Sequence, residues 1–121
     1  VGLWHTVDDR TGKPRGLVRI EQQAGLLTGR VVSTIDPADA AHTCDNCPGD
    51  REGQPIIGLE IIRNMHRNGD RWDGGTILDP ETGKTYRCTM ALRDGGQRLV
   101  VRGHIGIALF GRSQSWLRAD P

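Results

Sequence analysis

Short stretches in which apolar and polar residues alternate occupy most of this chain, and turn-forming residues separate them. Leu3–Val7 is the first. Leu17-Val18-Arg19-Ile20-Glu21 places Val18 and Ile20 on one face, and Leu26–Ile35 sets Leu27, Val31 and Ile35 opposite Thr28, Arg30 and Thr34. A period of two predicts strands with one buried face. Trp72–Leu78 follows, then Tyr86, Cys88, Met90 and Leu92 alternate with Arg87, Thr89 and Arg93. Leu99, Val101 and Gly103 keep the same period onward through Ile105, Ile107 and Leu109, and Gln114–Arg118 makes a last short strand. In Ile56–Asn64 the residues Ile57, Leu59 and Ile61 share a face. The spacing of Leu59, Ile62, Met65 and His66 also fits a short helical turn, so both readings stand there.

The punctuation between these runs is that of hairpins. Asp8–Pro14, Ala24-Gly25, Asn68-Gly69, Asp79-Pro80-Glu81-Thr82-Gly83-Lys84 and Asp94-Gly95-Gly96 each carry residues that fix φ or tolerate positive φ. The exception is a long polar segment from Asp36-Pro37 to Pro55 that contains Cys44 and Cys47. A loop of that length in a small domain is commonly functional or stapled down. The result is an all-β chain of about eight strands, the number whose closed antiparallel up-and-down barrel can hold one small ligand.

Composition narrows the reading without redirecting it. A chain of 121 residues is one domain, 1–121, and 17 glycines with 36% apolar content suit short strands and tight turns. Lys and Arg number 16 against 15 Asp and Glu, spread along the chain, so the total charge makes no case for nucleic acid. No apolar run approaches a membrane span. The chain opens on Val1 and enters a strand almost at once, which is how a protein trimmed after a signal peptide would begin.

The segments Trp72-Asp73-Gly74-Gly75-Thr76-Ile77-Leu78-Asp79-Pro80, Gly83-Lys84-Thr85-Tyr86, Val101-Arg102-Gly103-His104-Ile105-Gly106 and Leu109–Trp116 resemble the bacterial DUF2147 family. Gly2-Leu3-Trp4, Cys44-Asp45-Asn46-Cys47-Pro48-Gly49 and Pro55–Leu59 match as well, so the resemblance covers nearly the whole chain. Cys88 and His104 depart from the pattern. The resemblance implies an exported protein, periplasmic or secreted, with a lipocalin-like barrel. Lipocalins open on Gly-x-Trp and lay a basic residue from the last strand over that indole. Gly2-Leu3-Trp4 and Trp116-Leu117-Arg118 stand in those places, making Trp4 and Arg118 a barrel-closing pair.

Cys44-x-x-Cys47 reads first as a structural disulfide of an exported protein, stapling the long loop. A redox pair lacks a helix N-terminus, and a metal site with His42, His66 or Cys88 lacks a complete ligand set. Cys88, on an apolar face, reads as a small buried hydrophobe. The paired acids Asp8-Asp9 and Asp79-x-Glu81 fall in turns and read as structural. No nucleophile, base and oxyanion donor assemble, so a non-enzymatic protein without a cofactor is expected. It is expected to take a small apolar or amphipathic ligand in the barrel, lined by Tyr86, Met90, Val101, Ile57, Leu59 and Trp72. The alternative is an envelope structural or protein-interaction module whose barrel is filled by its own side chains.

Overall fold

The alternation closes on itself. The structure is a computed structural model, and it describes residues 2–7, 14–34, 43–45, 47–79, 83–104 and 112–119. Strands β1 (Gly2–Val7), β2 (Pro14–Gln23), β3 (Leu26–Thr34), β4 (Glu60–Asn68), β5 (Arg71–Leu78), β6 (Thr85–Arg93), β7 (Arg98–His104) and β8 (Arg112–Arg118) pair antiparallel in chain order, and β8 returns to β1 as a closed barrel. The expected stretches Asp8–Lys13, Ile35–His42, Pro80–Thr82 and the continuation through Ile105, Ile107 and Leu109 lie outside the described residues.

The two ends of the barrel differ. β2–β3, β4–β5 and β6–β7 are joined by tight turns at one end, whereas β1–β2, β3–β4, β5–β6 and β7–β8 are joined by the longer connections at the other. Ala24 and Gly25 both adopt positive φ, 52° and 82°, the conformation a two-residue hairpin turn requires. Asp94 and Gly95 do so between β6 and β7. Opposite them, the Asp79–Lys84 turn is closed by Asp79 N–H donating to Lys84 O and Gly83 N–H to Asp79 O.

β4 is a strand, and it explains the helix-like spacing of its apolar residues. Leu27 pairs with Met65 and Gly29 with Ile62, so two steps on β3 span three on β4. The extra residue is taken up near Asn64, whose φ is 60°. Such a bulge resets parity and lets Ile62 and Met65 share the inner face. Gly75 permits the crowding opposite: a Cβ there would lie 2.2 Å from Arg63 O and 2.5 Å from Met65 Sδ.

The core runs the length of the barrel, with Leu59, Ile62 and Leu78 buried toward the long connections. Trp4, Ile20, Met65, Met90 and Trp116 are essentially inaccessible, with Val18, Leu27, Leu99 and Val101 packed among them. Each such side chain contributes about 1.5–3 kcal/mol relative to exposure. Arg118 covers the seam, its Cζ 4.4 Å from the Trp4 ring centroid and its Nε donating to Gly96 O at 2.7 Å. Trp4 and Arg118 are also register partners across β1–β8, so the expected closing pair is in place.

Candidate functional site

The inner face is readable row by row across the strands. Trp72, Met90, Val101 and Gln114 are successive partners from β5 to β8 and form one inward row. The next row toward the long connections is Gly75, Cys88 and Gly103. Beyond it lie Ile77 and Tyr86, with Ile62 beside Ile77. Across β5–β7 a row with two glycines and a thiol therefore separates two rows of larger side chains, and Gly103 pairs onward with Arg112 of β8. Met65 fills the space over Gly75, and Tyr86 and Ile77 pack over Gly103, where a Cβ would lie 3.5 and 3.7 Å from them.

Met90, Val101, Cys88 and Trp116 are buried, whereas Trp72 and Gln114 in the first row and Ile77 and Tyr86 in the third are half-buried although they face inward. Gln114 contributes a defined polar group among them. The Trp116 indole can only donate, and its Nε1 lies 3.0 Å from Gln114 Oε1, so the amide oxygen is taken and Nε2 is left to donate.

Of the six residues expected to line a site, Trp72, Met90 and Val101 share one row, and Tyr86 stands two inward rows along β6 from Met90. Leu59 is buried in the β3–β4 connection, where its carbonyl accepts from Val31 N–H at 3.0 Å. Ile57 is a correction: it is 38% exposed and precedes β4, because the strand begins only at Glu60. Ile77 and Gln114 stand beside them without having been singled out: Ile77 belongs to the period-two face of β5, and Gln114 opens the stretch read as the last strand.

Burial pushes the Cys88 thiol up to about 12, so it is protonated at neutral pH and serves as a small packing group. Cys44 and Cys47 form a disulfide with Cα atoms 5.4 Å apart. The loop that carries them is tied to β4 by charge. Arg63 grips Asp50 with both Nη atoms, at 2.7 and 3.1 Å, and donates through Nε to Glu60 Oε1 at 2.6 Å. Glu60 also accepts from Arg30, while Arg51, buried under the loop, donates to Glu60 O. The Arg63 hydrogen bond holds the Asp50 carboxyl below its ordinary range. Among the described residues no three His, Cys, Asp or Glu side chains converge as a metal site. No described helix is long and apolar enough to cross a membrane.

A family model described as "Uncharacterized protein conserved in bacteria (DUF2147)" matches residues 2–118, and the chain belongs to this family. Its barrel is similar to a solved structure from the human pathogen Helicobacter pylori, a protein described as belonging to the lipocalin family. The two are 18% identical, with a TM-score of 0.82 over 98% of this chain and 82% of that one. The likeness shows a lipocalin-like fold. No curated protein matches the sequence.

Proposed function

We propose that this protein is a non-enzymatic carrier in the bacterial envelope, periplasmic or secreted, that holds a small amphipathic molecule at the long-connection end of its barrel. The observation that supports this reading is the partial exposure of inward-facing Ile77 and Tyr86 beyond the Cys88–Gly103 row and of Trp72 and Gln114 in the row before it. Ile77 and the Tyr86 ring offer apolar surface to a chain or ring. The Gln114 Nε2 offers a donor to a carbonyl or carboxylate at the ligand's polar end. Met90 and Val101 form the floor. The lipocalin-like fold is compatible with this use.

Native mass spectrometry of the protein purified from its own envelope, followed by solvent extraction, tests the reading. A retained amphipathic molecule is expected, and Ile77→Trp, which fills the opening, should release it without unfolding the barrel. An empty wild-type protein with no affinity for fatty-acid probes would instead support a filled barrel that works through its surface.

A further inference from the structure

The outer face of β5–β8 is the inner face's counterpart one residue out of phase. Arg93, Arg98 and Leu117 form one outward row; Arg71, Ala91, Val100 and Ser115 the next; Thr89, Arg102 and Ser113 a third; and Arg87 lies beyond them on β6. Residues distant in sequence thus place five arginines on one sheet surface. Three carboxylates share or flank it: Asp70, Asp94, whose Oδ2 is 3.0 Å from Arg98 Nε, and Asp73 on β5, which accepts from Asn68 Nδ2 at 2.9 Å. No described carboxylate pairs with Arg71, Arg87 or Arg93.

This surface has shape as well as charge. Arg71, Arg93 and Arg102 border a shallow groove of about 170 Å³ that also presents Thr89 and Ser113, with Asp70 as its one carboxylate. Arg102 Nη1 donates to Ser113 Oγ at 3.1 Å, and Arg98 reaches Ser115 Oγ, so two of the guanidiniums are oriented by neighbouring hydroxyls. Guanidinium forks match phosphate oxygens in pairs. Leu117, 50% exposed and partnered with Arg98, adds apolar surface to the same face. A cluster of basic side chains beside an exposed apolar one suits an anionic membrane interface, which offers phosphates and acyl chains together.

We infer that the outer face of β5–β8 docks on an anionic phospholipid surface, with a lipid phosphate seated among Arg71, Arg93 and Arg102. This inference is independent of what the barrel interior holds.

Flotation of the full chain with vesicles of phosphatidylcholine alone, and of equal parts phosphatidylcholine and phosphatidylglycerol, tests it. Binding to the anionic vesicles only, weakening with added salt, is expected. Each charge removed near the surface reads as a roughly fivefold loss, so R71Q/R93Q/R102Q should bind about a hundredfold more weakly. R71K/R93K/R102K should restore most of that affinity. R15Q/R19Q/R67Q, which removes the same net charge from β2 and β4, should bind as the wild type does. Equal binding to both vesicles, no binding to either, or an equal loss in the β2/β4 variant would overturn the inference. Displacement from vesicles by inorganic phosphate, beyond that caused by sodium chloride at the same ionic strength, would overturn it too, since the groove would then be taken by a soluble anion.

Discussion

Removal of the Arg118 side chain should weaken the barrel out of proportion to its partial exposure. Among the described residues β1 and β8 share two register pairs, Trp4 with Arg118 and His5 with Leu117, fewer than any other strand pair. Arg118 strengthens this seam from three directions: over the Trp4 ring at 4.4 Å, through Nε to Gly96 O at 2.7 Å, and through its backbone N–H to Gln97 O at 2.9 Å. Arg118→Ala keeps only the last. A cation over an indole contributes about 0.5–2 kcal/mol, and a hydrogen bond from a charged donor about 1.5–3 kcal/mol. Screening at this partly exposed site lowers both, giving an expected loss of about 2–3 kcal/mol. Arg118→Lys keeps the cation but not the Nε bond and should lose about half as much. Urea unfolding followed by tryptophan fluorescence measures this directly. A double-mutant cycle with Trp4→Phe then isolates the ring contact, with a coupling of at least about 0.5 kcal/mol expected. A loss below about 0.5 kcal/mol for Arg118→Ala, with the urea dependence unchanged, would show that strand pairing alone closes the barrel.

Four further changes have defined outcomes. Gly75→Ala should cost at least about 2 kcal/mol in urea unfolding, because the atoms a Cβ would strike include the β4 backbone, Arg63 O and Asn64 C, which cannot swing aside. Ala24→Asn should stabilise by about 1 kcal/mol, since Ala24 holds a φ of 52° that asparagine tolerates better; an unchanged midpoint would refute the argument. Thiol titration of unreduced protein should return one reactive group per chain, and only after denaturation, because Cys88 is buried and its thiol is raised to about 12; three groups would exclude the Cys44–Cys47 disulfide. The Asp50 carboxyl is depressed by Arg63, so its anchoring of the loop is fully present above the ordinary value of 3.8 and is lost as pH falls through the lower folded value. An NMR titration of Asp50 should show its midpoint below 3.8 in the wild type and rising in Arg63→Gln; equal midpoints would remove the ion pair from the account.

The barrel was legible in the sequence because burial on one face and a period of two are the same fact, as Val18/Ile20 and Cys88/Met90 show. Trp4 and Arg118 were legible because closure must bring the chain's ends together. Ile57 was misplaced by the same reasoning. Period two was carried backward from Ile61 through Leu59, but β4 begins at Glu60 and its parity is reset near Asn64. That irregularity depends on contacts with Gly75, on the next strand and invisible to a local pattern.

The basic face was hidden for a related reason. Arg71, Arg87, Arg93, Arg98 and Arg102 each occupy an unremarkable polar position, and along the chain they read as dispersed charge. Only the register assembles them. The turn at Asp94–Gly96 pairs Arg93 with Arg98, which then fixes Met90 opposite Val101 on the inside and Thr89 opposite Arg102 on the outside. A slip of one residue between β6 and β7 would turn Leu99 and Val101 outward and carry Arg98 and Arg102 into the barrel. The energetic penalty for burying those guanidiniums is far larger than the cost of any single surface contact. The register that fills the core is thus the register that gathers the arginines, and selection for a stable barrel holds a charged outer surface in place whatever first recruited it.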